Sequence, residues 1–138
     1  MAQFETPKTD WVSEDYININ DYNRILNNLV YVSAEMLSKY YIIPESFYDI
    51  INEEVTYNDY PTADKWNMIE NKLEELNNIT GRILNIGDKK TFYPGGSYID
   101  YNELNRIEKA TLMFYNLYYR LERAKIVLPF TLGNYGGF

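Results

Sequence analysis

The chemistry open to this chain is limited by what it lacks. It contains no Cys and no His. A thiolate nucleophile, a disulfide framework and a cysteine zinc site are therefore excluded, and so are hydrolase triads that use His as the base. Carboxylates, Lys and Tyr remain for catalysis, and oxygen ligands for metals. The adjacent acids Glu53-Glu54 and Glu74-Glu75 are the nearest approach to an acid and base pair for glycoside cleavage. Both pairs lie in charged, polar surroundings, where a solvated helix face is the stronger reading. The stretch YPGG at 93–96 is a turn whose glycines permit positive φ, and it lacks the strand, helix and Lys of a phosphate loop. No catalytic residue, metal-ligand set or cofactor is expected.

Charge narrows the partners. The net charge is -7 with a pI near 4.6, and the longest basic run is the pair Lys89-Lys90. A nucleic-acid binder needs clustered positive charge to release counterions from phosphates, so nucleic acid is not an expected partner. Anionic membrane surfaces are disfavoured for the same reason, and no apolar stretch approaches the length of a membrane span. The opening MAQFETPKTDW has neither the basic start nor the apolar core of a secretion signal, which predicts a cytoplasmic protein. Fifteen Tyr, six Phe and two Trp in 138 residues are more aromatics than one small core can hide. Tyr carries a large apolar body and a polar tip, which suits it to surfaces where proteins meet.

Helical periodicity organises the chain. Tyr22, Ile25, Leu26, Leu29, Val32, Met36 and Leu37 predict a helix over about 19–40. Trp66, Ile69, Leu73 and Leu76 predict a second over about 63–79, with Gly81 as its C-terminal cap residue. Leu104, Ile107, Phe114, Leu117, Tyr118 and Leu121 predict a third over about 101–124. A short helix over 45–52 after Pro44 is expected, and brief strands are conceivable at 91–93 and 125–130. The fold class is mainly α: a small domain of three principal helices built from three divergent loop-helix repeats. Residues 1–10 form an N-terminal arm, 11–124 the helical domain with repeats at about 11–52, 55–81 and 93–124, and 125–138 an extended C-terminal tail.

The repeats are visible in DYININDYNRILNN at 15–28, DYPTADKWNMIENK at 59–72 and SYIDYNELNRIEKA at 97–110, which align without a gap. Asn18, Thr62 and Asp100 share one position. Each has a side-chain oxygen able to accept the free amide protons of a helix start, so all three are predicted N-caps. Three residues on stand Asp21, Lys65 and Glu103. Asp21 complements the helix dipole, Glu103 forms a capping box with Asp100, and Lys65 fits neither role. Two residues before each cap, Tyr16, Tyr60 and Tyr98 are predicted to fold over the first turn. Asn23, Asn67 and Asn105 recur five residues after the cap, followed by Arg24, Met68 and Arg106. Asn is a mediocre helix-interior residue. Its recurrence predicts that the amide reaches back to the preceding loop and satisfies backbone groups there, with the repeated Arg, Arg24 and Arg106, pairing to Asp15 or to a nearby carbonyl. A threefold ligand or metal site is the weaker alternative, since only Asp15 and Asp59 match between copies. The tail LPFTLGNYGGF offers Phe130, Tyr135 and Phe138 as candidate assembly contacts.

Trp11, EDYININDYNRILNN at 14–28, TYNDYPTADKWNMIENK at 56–72 and YNELNRIEKA at 101–110 carry a resemblance. They are similar to small tail and baseplate-region proteins of tailed bacteriophages and prophages of low-GC Gram-positive bacteria. In that group a Trp and a short acidic loop precede a helix opening of the D-L-N-R-I-E kind. The match covers the heads of all three helices, about a third of the chain. It departs at Met68, at the divergent third loop, and in the absence of a second Trp equivalent to Trp11. The resemblance implies a non-enzymatic structural protein of a virion, made in the host cytoplasm and carried in the tail or baseplate region. Its implied partners are other virion proteins or copies of itself, in an oligomeric setting. A host-receptor or cell-wall carbohydrate-binding module of the same particle is the alternative.

Overall fold

A computed structural model describes residues 3–49, 62–94 and 99–134, with side chains up to Ala124. The protein is mainly helical, and no strand occurs among the described residues. Helix α1 spans Ile19–Tyr31 and continues through a π-helical turn at Val32–Met36 into a 3₁₀ turn at Leu37–Lys39. Helix α2 spans Ala63–Ile79 and α3 spans Tyr101–Asn134. After α1, where a short helix over 45–52 is expected, the described residues form a 3₁₀ turn, Glu45–Tyr48, that places Phe47 in the core.

Local chemistry sets these boundaries. The change of winding after Tyr31 coincides with Ser33, a fully buried hydroxyl that bonds to the carbonyls of Leu29 and Val30 at 3.0 Å each. Such back-bonding competes with the helical ladder and bends it. Helix α2 stops in a Schellman motif: the Gly81 amide donates to Asn78 and the Arg82 amide to Asn77, at 3.0 and 2.7 Å. Gly81 supplies φ of 82°, and Arg82 also has positive φ, at 55°. The segment 91–93 is irregular, and 125–130 is helical. Helix α3 continues ten residues past Ala124, across Pro129 and Gly133, so Phe130 sits on a helical backbone and not in an extended tail.

The core follows the repeat register. Four, seven, eleven and fourteen residues after the three caps stand Tyr22, Trp66 and Leu104; Ile25, Ile69 and Ile107; Leu29, Leu73 and Thr111; Val32, Leu76 and Phe114. All twelve are buried. This spacing is the apolar stripe of a packed helix, written three times in the same register. Tyr22 meets Trp66 edge to face, with ring centroids 5.1 Å apart, which ties α1 to α2. The N-terminal arm adds Trp11, only 3% exposed, and Phe4, whose ring stacks on Tyr115 at 4.1 Å.

Candidate functional site: the polar seams between repeats

The recurring Asn residues form a set of backbone clamps. The Asn67 amide donates to the Phe92 carbonyl at 2.8 Å, and its Oδ1 accepts from the Phe92 amide at 2.7 Å. Asn105 does the same to Trp11, at 3.0 and 2.8 Å. Both clamped residues are aromatic, buried, and at matching places in their loops: Trp11 precedes its cap by seven residues and Phe92 by eight. The predicted target was the loop before the same helix. Instead each clamp holds the loop of another repeat: α2 holds the loop leading into α3, and α3 holds the loop leading into α1. Asn23 is also engaged. A third clamp was not foreseen: fully buried Asn28 binds both backbone groups of Glu5 at 2.8 Å each and fixes the N-terminal arm.

The arginines lock the same seams in the opposite sense. Arg24 donates to Glu108 through Nε and Nη2, at 3.0 and 2.7 Å, and to Asp21 at 2.9 Å. Arg106 donates to Glu70 and, at 2.9 Å, to Glu103. Glu70 and Glu108 both lie eight residues after their caps and are 1% exposed. Helix α1 thus grips α3, and α3 grips α2. The third seam carries Met68 at the Arg position and Leu26 at the Glu position, so both members are apolar there. Met68 packs against the core that contains Leu26. A buried charge whose partner is removed is costly, and losing both together avoids that cost.

The two buried carboxylates differ in how well they are served. Glu108 also accepts from the Trp11 indole N–H at 2.5 Å and the Lys8 amide at 3.0 Å. At Glu70 the residue matching Trp11 is Phe92, which has no ring N–H, and Glu70 Oε1 makes no hydrogen bond. Burial pushes the Glu70 carboxyl above the usual carboxylate range, against the lowering effects of Arg106 and of the Lys90 backbone amide. Beside Glu70 lies a cleft of about 70 Å³, bounded by α2, the segment 82–89 and Arg106. Gly87, with φ of 83°, forms part of its wall. A Cβ there would stand 2.7 Å from Arg106 Cδ.

The cap residues divide. Asn18 and Asp21 form a reciprocal capping box: the Asp21 amide donates to Asn18 at 3.0 Å and the Asn18 amide to Asp21 at 2.9 Å. Asp100 accepts from the Glu103 amide at 2.9 Å, while the Glu103 side chain turns to Arg106. Thr62 holds the cap position with extended backbone but makes no side-chain cap bond. Tyr16 is 91% exposed and does not fold over the first turn. The residue next to the cap takes that place: Ile17 and Ile99 pack against the core. Tyr60, Tyr98, Tyr135 and Phe138 lie outside the described residues, as does the Phe130 side chain.

Among the described residues there is no group of three or more acidic side chains able to hold a metal ion, and no helix is long and apolar enough to cross a membrane. The chain matched no protein-family model, no curated protein and no solved structure.

Proposed function

We propose that this chain is a non-enzymatic structural protein of a phage particle, acting in the tail or baseplate region through contacts with other virion proteins or with copies of itself. The observation that carries the reading is the use to which the repeated polar residues are put. Asn67, Asn105, Arg24 and Arg106, the residues that any triplicated reactive centre would have to employ, are each tied to a backbone or carboxylate of a neighbouring repeat. The repeated motif is therefore used architecturally in this chain, which supports the reading. Large apolar side chains are left at the surface for partners: Tyr16 and Ile42 are each 91% exposed, Tyr93 72% and Ile83 61%. Tyr is among the residues that contribute most when buried between proteins.

Mass spectrometry of purified particles tests the proposal. The chain is expected at a fixed ratio to the other tail proteins, and its absence from washed particles would refute the reading. A cell-wall carbohydrate-binding role has one feature in its favour, the half-exposed Tyr119, whose ring lies 4.9 Å from Tyr115 and 5.4 Å from Tyr118. Retention of the isolated protein on purified cell wall, lost in Tyr119→Ala, would establish that role instead.

A further inference from the structure

The cleft beside Glu70 has the features of a binding site on its own account. Two side chains of α2 that line it are almost wholly buried and carry an oxygen without a hydrogen-bond partner: Glu70 Oε1, in a residue 1% exposed, and Asn77 Oδ1, in a residue 4% exposed. Buried acceptors left unpaired are costly, and native proteins seldom leave them so. The matching carboxylate shows what is missing. Glu108 receives an indole N–H from Trp11, and Phe92 cannot give the equivalent to Glu70, whose carboxyl has the Lys90 backbone amide beside it in addition to Arg106.

The nearby cations do not fill the gap. Arg106 is shared between Glu70 and Glu103, Arg82 is bound to Asn78 Oδ1 at 2.6 Å, and Lys89 is bound to Asn71 Oδ1 at 2.9 Å. Glu70, Glu74 and Asp88 balance Arg82, Lys89 and Arg106 in formal charge around the wall, so selection falls to the unpaired atoms themselves. The unpaired atoms are acceptors, so an anion such as phosphate or a carboxylate is repelled. A species with N–H donors, no acceptor and a positive charge is complementary, and the volume limits it to a few heavy atoms. We propose that the cleft between α2 and the 82–89 segment binds a primary ammonium group, with Glu70 Oε1 and Asn77 Oδ1 as the acceptors. The group is supplied either by a free small amine or by a Lys side chain of another protein chain.

Thermal unfolding of the full chain with added methylammonium chloride tests this, with sodium chloride and tetramethylammonium chloride at equal ionic strength as controls. A bound ligand raises the melting temperature in proportion to its occupancy of the folded state. The expected result is a concentration-dependent rise with methylammonium, none with tetramethylammonium, which has no N–H, and loss of the rise in Asn77→Leu. A rise with a lysine-containing peptide, but not with methylammonium, would assign the ammonium group to a partner chain. The ¹³C shift of the Glu70 carboxyl gives a second readout that does not depend on any variant folding, and it should move on amine addition. Identical responses to all three salts, no movement of the Glu70 carbon with either ligand, or a rise that persists in Asn77→Leu would overturn the proposal and leave the cleft to ordered water.

Discussion

An Asn side chain at Asn105 or Asn67 matches a peptide group in both directions, donating to its carbonyl and accepting from its amide. No other uncharged side chain except Gln offers this, and Gln is one methylene longer. Asn105→Ala leaves both backbone groups of buried Trp11 without partners, and a loss of about 1–3 kcal/mol is expected in denaturant unfolding. A variant as stable as the parent would show that the clamp contributes nothing. At Thr62 the expectation has the opposite sign. The position has cap geometry and an idle side chain, so Thr62→Asp should stabilise by about 0.5–1 kcal/mol, read in the same assay. Gly87→Ala combines a strained φ with a clash against Arg106 and should destabilise by more than about 1 kcal/mol, the usual cost of a backbone-incompatible Ala. Residue type alone made the helix starts legible, because an oxygen-bearing side chain before an apolar stripe is a local signal. The partners of Asn67 and Asn105 were not legible. Their targets are 25 and 94 residues away, and only the fold determines which loop lies within reach.

At the scale of elements, periodicity located all three helices, and α2 spans the residues its stripe predicted, Ala63–Ile79. The structure departs from that periodicity at two places. The winding change at Val32–Met36 coincides with the back-bonding Ser33 hydroxyl, which a count of apolar spacings ignores. The apolar stripe of α3 ends at Leu121 and predicts a stop near Ala124, yet the backbone stays helical to Asn134, across Pro129 and Gly133. The seams lend themselves to a double-mutant test. Met68→Arg and Leu26→Glu each place a lone charge at an interior or half-buried position and should be strongly destabilising, by about 3–5 kcal/mol for an unpaired buried charge. The double variant rebuilds the pairing seen at the other two seams. Its loss should fall short of the sum of the single losses by about 1–3 kcal/mol. Strict additivity would mean that the third seam does not share the register of the others.

For the whole molecule, a pH dependence of stability follows from buried Glu70. Burial raises the folded-state affinity of Glu70 for its proton, so the folded form binds more protons at this site than the unfolded form. Its contribution is greatest below the unfolded carboxylate pKa, about 4.3, and is lost as pH rises through the higher folded value. Glu70→Gln should therefore flatten the stability profile across that mildly acidic window, as measured by urea midpoints between pH 4 and 7. An unchanged slope would show that Glu70 is not raised. The proposed assembly role makes a separate demand on the C-terminal end. Among the described side chains, which end at Ala124, Leu121 is the last that packs on the core, and removing residues 129–138 should leave the circular dichroism of the domain near that of the parent while reducing incorporation into particles.

The clamps and ion pairs run from α2 to α3 and from α3 back to α1 and the N-terminal arm, and the Tyr22–Trp66 contact joins α1 to α2. An open stack of repeats has two outer units, each with one neighbour, and these can peel away first. A closed circuit has no outer unit, so each repeat depends on two others. Amide hydrogens of all three helices should then exchange through one shared opening, with similar protection deep in each. A domain wired in this way holds whole until it gives way at once.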